Sequence, residues 1–216
     1  MKVTKRPKKK FDLDESERLR EIYTIAAQLI CEKGFDATSM DDIADAVGMT
    51  KAGIYHYIHG KREMLYQLMT YGMQRLEQRV IAPAREIADP EERLRAIISS
   101  HALLITEGSN SKGNNPITIV TDEVAGLAPA HRRAIEKRKR VYLDLVRDTL
   151  KDLREKGKLA DVDLTVAAFS LLGIMLWLSR WYRPNGRLSQ EQVTGEVTRI
   201  ALGGLLGRPQ GSAVRR

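Results

Sequence analysis

The run Thr38–Leu65, TSMDDIADAVGMTKAGIYHYIHGKREML, decides how this chain folds. Thr38 and Ser39 stand three residues ahead of Asp41 and Asp42, two overlapping capping boxes that start a helix. That helix is short: Ile43, Ala44 and Val47 form its inner face and Gly48 stops it. Ala44 is small enough for a second helix to cross closely, Gly48 supplies a left-handed turn, and Met49 plugs the junction. Thr50 caps the second helix, which Ile54 and Ile58 anchor from behind. Lys51, Ala52, Gly53, Tyr55, His56 and His59 are left on outward or edge positions. Gly60 closes that helix, and Lys61 opens a longer one running to about Ala82. A helix held by its back face can place its N-terminal residues against base edges in a major groove.

Upstream, Leu19, Ile22, Tyr23, Ala26, Leu29 and Ile30 recur at spacings of three and four, an amphipathic helix ending at Gly34. Downstream, helical patterns cover 90–107, 116–126, 130–156, 163–182 and 189–206, broken by Pro, Gly and Asn clusters. Only Ile117–Thr121 offers a β-branched run, and it is taken as the start of a helix. The expected fold is all-α: a helix-turn-helix three-helix unit followed by a helical ligand-binding and dimerisation domain. The corresponding boundaries are a basic arm at 1–10, a first domain at 11–82, a second at 83–207 and a tail at 208–216.

Lys and Arg number 36 against 28 acidic residues, a net charge of +8, and the pI of about 9.6 points to a polyanionic partner or an anionic ligand. Charge is unevenly spread. MKVTKRPKKK holds six basic residues and no acid, read either as a solubilising tail or as an arm along a phosphate backbone. Residues 11–50 carry ten acids, so bulk charge does not identify the first domain; its arrangement must. One cysteine, Cys31, excludes an internal disulfide framework and fits a reducing cytoplasm. The most apolar stretch, Val166–Leu178, is shorter than the roughly 20 residues of a membrane span, so a buried helix and no membrane are expected.

The quoted run, preceded by Ile30–Ser39 (ICEKGFDATS), resembles the DNA-binding signature of TetR-type transcriptional repressors, closely over about residues 17–66. Ile58 stands where that family usually has an aromatic and Arg62 where it has an acid; the first keeps an apolar plug and the second favours phosphate. The resemblance implies roles by position. Thr38 and Ser39 would meet phosphate at a helix N-terminus. Thr50, Lys51, Ala52 and Gly53 would face bases; Tyr55 and Tyr57 would bond phosphates, with core packing the other reading of Tyr55. His56 would touch a base or phosphate, and Lys61 would clamp the backbone.

The resemblance also implies a homodimer on a palindromic double-stranded DNA operator and a small-molecule inducer. The 163–182 helix is apolar nearly all round, and the last helix carries Gly195, Gly203 and Gly204 for close approach. Arg133, Lys137 and Arg140 share one face of the run HRRAIEKRKR at 131–140, either a solvated surface or a cationic mouth. Tyr142, Phe169, Trp177 and Trp181 are the apolar lining expected behind it. The segment VTDEVAGLAPAHRRAIEKRKRVYLDLVRDTLKDLREKGKL, with WLSRWYRPNGRLSQEQV, resembles TetR-type repressors that respond to acyl-CoA thioesters. The expected inducer is therefore an acyl-CoA, and the regulated genes those of a catabolic pathway. A drug-sensing repressor of an efflux pump and a non-specific architectural DNA binder are the competing readings. No nucleophile with a base, carboxylate pair or phosphate loop suggests an enzyme, no catalytic residue is assigned, and no cofactor is expected. His56 and His59 lack further ligands to complete a metal site.

Overall fold

The computed structural model describes residues 15–109 and 117–206. The basic arm, most of the Gly/Ser/Asn loop and the tail from 208 lie outside the described residues. Ten α-helices follow one another: α1 (Glu15–Lys33), α2 (Met40–Ala46), α3 (Lys51–Tyr57), α4 (Lys61–Leu76), α5 (Ala82–Arg85), α6 (Pro90–Gly108), α7 (Ile117–Asp122), α8 (Pro129–Glu155), α9 (Leu164–Trp181) and α10 (Gln190–Leu205). The expected all-α class holds. The segment Ile117–Asp122 is helical, and the pattern read as one helix over 116–126 divides into α7 and a 3-10 turn at Val124–Gly126.

The α2–α3 corner forms for the reasons its sequence gives. Ser39 Oγ accepts from the Asp42 N–H, and the Asp42 carboxylate accepts from the Ser39 N–H at 2.8 Å, a complete capping box. At the other end Gly48 has φ 66°, and the Met49 N–H reaches back to the Ala44 carbonyl at 2.8 Å, the closure of a left-handed helix cap. Thr50 Oγ1 accepts from the Gly53 N–H and starts α3. Behind the corner Ile43, Ala44, Ile54 and Ile58 are buried against Ile22, Ala26 and Ile30 of α1. Arg18 of α1 donates to the Val47 carbonyl at 3.0 Å, tying the first helix to the turn.

The helix expected to end near Ala82 runs on to Arg85. It does so through a π turn at Glu77–Ile81, where the Ala82 N–H bonds to the Glu77 carbonyl. Widening one turn relieves the clash that Pro83 would otherwise make with the carbonyl four residues back. Arg75 and Arg79 both pair with Glu107, which braces this region against the end of α6.

Helix α6 is the central strut, packed against α8, α9, α10 and the π turn, and it buries Leu94, Ile97, Ile98, Ala102 and Ile105. Asp89, Asp163 and Ser189 cap α6, α9 and α10 with side-chain hydrogen bonds. In the single chain α9 is buried on one side only. Val166, Phe169, Ile174, Trp177 and Trp181 remain exposed, with Ile200 of α10 beside them in kind.

Gly48 is one position where the fold is exposed to a single change. Any side chain at φ 66° costs about 1–2 kcal/mol, so Gly48→Ala lowers stability by about that amount in urea unfolding.

Candidate functional site

The exposed surface of the α2–α3 corner collects most of the residues expected to meet DNA. Ser39 lies at the N-terminus of α2. Thr50, Lys51, Ala52 and Gly53 lie at the N-terminus of α3, with Lys51, Ala52, Tyr55 and His56 exposed. Gly53 is required by space: a Cβ would come 3.2 Å from Thr50 Oγ1 and 3.3 Å from Met49 Cε, crowding the cap itself. Tyr57 is half-buried against the core, its ring meeting His56 edge-on at 5.4 Å.

Two lysines are held at defined points. Lys51 bonds Asp41 of α2 at 2.9 Å, and that hydrogen bond raises its pKa above the usual lysine value. The pair is exposed and therefore weak, so Asp41 orients the ammonium without withholding it from another partner. Lys61 sits at the start of α4, where a cation opposes the helix dipole. Its Nζ donates to the Asp36 carbonyl at 3.0 Å and lies 4.3 Å over the Phe35 ring, which offsets that cost. The acids of this surface are likewise engaged. Asp42 is held near pKa 2, first by its hydrogen bonds to Ser39 and then by Lys33.

Thr38 is a correction to this set. It is 1% exposed, and its hydroxyl donates to the Gly34 carbonyl at 2.8 Å. The hydroxyl closes the α1–α2 connection from inside and does not reach the surface.

A second feature lies behind the corner, a cavity of about 350 Å³ between α4, α6, α7, α8 and α9. Its rim carries exposed Glu136, Arg140 and Phe169; its deep wall carries buried Met73, Leu76, His101, Val120 and Tyr142. Lys139 adds a second cation to the lining, its ammonium donating to the Val120 carbonyl. His101 Nδ1 and the Tyr142 hydroxyl are 2.9 Å apart. Desolvation drops the His101 pKa to about 4 and pushes the Tyr142 hydroxyl up, so both are neutral at physiological pH.

Between corner and cavity lies the segment 117–127. Val120 and Thr121 line the cavity. Three to six residues on, the Glu123 carboxylate accepts from the Phe35 N–H at 3.4 Å, and Gly126 presses so closely that a Cβ would come 3.0 Å from the Phe35 ring and 3.1 Å from Leu65. Tyr66 of α4 stacks on His131 of α8 at 3.8 Å, and Arg132 and Arg138 donate to the carbonyls of Ala125 and Thr70.

Residues 22–68 match the family model for bacterial regulatory proteins of the tetR family, and residues 88–205 match that for the tetracyclin repressor-like C-terminal domain. The chain belongs to the TetR family. It is similar to the transcriptional repressor KstR2 of Mycobacterium tuberculosis, at 30% identity over 195 residues, covering 88% of this chain and 94% of the relative. The structure of that ketosteroid regulator superposes with a TM-score of 0.79 at 28% identity, covering 88% and 96% of the two chains. AibR, solved with isovaleryl coenzyme A and operator DNA, superposes with a TM-score of 0.76 at 40% identity over 85% of this chain and 97% of its own. The protein is a TetR-type transcriptional repressor, not an enzyme.

Within this TetR fold the expected ligand residues divide. Arg140, Tyr142 and Phe169 line the cavity. Arg133 and Lys137 stand earlier on α8, exposed, and are not part of its lining. Trp177 and Trp181 are corrections: they belong to the exposed flank of α9, Trp177 at 65% exposure, because the helix turns its other face to the cavity with Leu172 and Leu176. Reading the sequence missed His101 and Glu136 and counted Lys139 within the basic run at 131–140. A histidine inside the apolar stripe Ile97, Ile98, Ala102, Ile105 was the available signal for the first. Cys31 is half-buried in the α1 packing.

Two substitutions separate the kinds of contact. Lys61→Ala is expected to weaken selected and random DNA by similar factors and, in a salt titration of binding, to lower the slope by about one ion. Lys51→Ala is expected to relax preference at one base pair of each half-site, to be read by binding to single-base operator variants; uniform weakening would place Lys51 on phosphate instead.

Proposed function

We propose that this protein is a homodimeric repressor that holds a palindromic operator and is released by an acyl-CoA thioester, controlling genes of a catabolic pathway from the cytoplasm. The observation that carries the reading is an apolar cavity with Lys139 and Arg140 in its lining and a basic helix leading to it. The acyl part suits the apolar interior; the nucleotide phosphates suit the cations outside. That AibR was solved with isovaleryl coenzyme A and operator DNA supports the same assignment. A sensor of cationic drugs would want a more aromatic and acidic wall; here Tyr142 and Phe169 are the aromatics and Glu136 the acid. A non-specific architectural binder would give uniform protection in a footprint rather than a discrete palindrome.

In this reading residues 11–82 bind DNA and 83–207 bind ligand and partner. Ligand against Val120 and Thr121 bears on a segment whose far end is seated on Phe35 and Leu65, so its position is communicated to α1 and α4. Repression is relieved because the ligand binds better when the two reading helices are wrongly spaced for successive major grooves.

The exposed flank of α9 supports dimerisation. Among the described residues α9 is the helix long and apolar enough to cross a membrane, with a third of it buried within the chain. A second copy's α9 and α10 would cover Val166, Trp177, Trp181 and Ile200 in a four-helix seam, with Gly173, Gly195, Gly203 and Gly204 open for close approach. Trp177→Glu places a charge in that seam; sedimentation is expected to show monomers and operator affinity to fall at least about tenfold.

For the inducer, isovaleryl-CoA or another short acyl-CoA lowers operator affinity, and the matching free acid does so far less. Replacing Arg133, Lys137 and Arg140 together with alanine weakens thioester binding in calorimetry while leaving ligand-free DNA binding intact. Equal binding of free acids, or a normal response from the triple variant, would reduce the basic run to a solvated face.

A further inference from the structure

The one polar pair on the deep wall of the cavity has a proton to spare. His101 and Tyr142 are both nearly inaccessible from outside, at 3% and 4% exposure, yet both line the cavity. Among the described residues they meet each other, Tyr142 hydroxyl to His101 Nδ1, at 2.9 Å, with the rings edge-on at 5.3 Å between centroids. Buried this deeply, the imidazole is neutral, so the pair owns two protons, one on the phenol and one on the ring. Their mutual hydrogen bond uses one. If the phenol donates to Nδ1, the ring keeps Nε2–H. If Nδ1–H donates to the phenol oxygen, the phenol keeps its own O–H. Either arrangement leaves one donor proton on a wall otherwise made of Met73, Leu76, Val120 and Leu176. A buried donor left without an acceptor is costly, so an occupant that brings an acceptor is selected over one that does not.

We propose that the His101–Tyr142 pair recognises a carbonyl oxygen on the acyl part of the ligand, and that this oxygen rather than hydrocarbon bulk sets ligand selectivity. The proposal rests on the acyl-CoA reading above. A neutral acceptor suits the pair itself, which carries no positive charge of its own to balance an anion. The carbonyl has two possible sources, the thioester group or a ketone further along the chain. Both present the same acceptor chemistry.

Three coenzyme A derivatives of equal chain length separate these sources: butyryl-CoA, the thioether S-butyl-CoA with no carbonyl, and the thioether S-(3-oxobutyl)-CoA with a ketone alone. Calorimetry on the full-length protein is expected to show at least one carbonyl-bearing ligand binding about tenfold more tightly than S-butyl-CoA, the worth of one buried hydrogen bond. Which ligand gains tells which carbonyl is read. In the double variant His101→Leu/Tyr142→Phe the preference disappears; replacing both partners by apolar groups of similar shape keeps the wall satisfied, and an unfolding midpoint near wild type confirms the fold. The gentler Tyr142→Phe retains ring and volume and reduces the preference by about threefold or more, since the spare proton is either its own or held in place by it. Equal binding of all three ligands to the wild type, or a preference that survives the double variant, overturns the role of the pair while leaving the acyl-CoA reading standing. If no coenzyme A derivative binds, that reading falls and the inference falls with it.

Discussion

Gly126 has no side chain, and the space a Cβ would need is already held by the Phe35 ring and a Leu65 methyl group. The packing of the 117–127 segment against the first domain depends on that fit. Phe35 closes the connection from α1 to α2, and its ring also lies under the Lys61 ammonium. Leu65 sits in the first turns of α4, the helix that Lys61 opens. One short turn, Val124–Gly126, therefore touches the packing that sets both α1 and α4 relative to the reading helix. Interiors are packed like crystals, so a joint of this kind passes displacement on rather than absorbing it. The Glu123 carboxylate on the Phe35 N–H gives the same joint a directional component that simple apolar contact would lack.

The distribution of charge explains why a domain with no excess of basic residues can still serve DNA. Ten acids lie between residues 11 and 50. Of the two that open α2, Asp41 orients Lys51, and Asp42 completes a helix cap and accepts Lys33. What remains for a phosphate or a base edge is a set of helix N-termini at Ser39 and Lys51, two positioned ammonium groups, and the exposed Tyr55 and His56. Attraction arises from placement. The net charge of +8 is carried elsewhere, in the first ten residues and along the start of α8.

Which parts of this were legible beforehand follows from the physics of each signal. The corner was legible because its capping boxes, its positive-φ glycine and its apolar spacings are local and all agree. Helix α8 and its neighbours were legible by period. Thr38 was not, because a hydroxyl next to a helix start reads the same whether it points out to phosphate or back to the Gly34 carbonyl. Trp177 and Trp181 were not, because a helix apolar on every side gives no sign of which flank meets its own chain and which waits for another. His101 was passed over for a related reason. Among isoleucines a lone histidine usually satisfies itself within the core, and only its distance from Tyr142, forty-one residues away in sequence, makes it part of a wall.

The proposed release of an operator by ligand would set a quantitative demand on the cavity. Near-complete reversal of a two-state equilibrium needs about 5.5 kcal/mol of difference in ligand affinity between the states. A cavity of about 350 Å³ holds a small occupant, so the difference must come from walls that cannot stay where they are. Gly72 and Val120 meet this condition. Both line the cavity, and a Cβ on Gly72 would stand 3.0 Å from Val120 Cγ2, so α4 and α7 already touch backbone to side chain there. A ligand group that enters directly beside them would press on that contact. Helix α4 starts at Lys61 and α7 leads directly to Glu123 and Gly126, so in the proposed switch a shift of either helix would bear on an attachment of the reading unit. The small volume of the cavity thus works in favour of the switch: a roomier one would accept the same ligand without disturbing either helix, and tight binding with no difference between states would shift nothing.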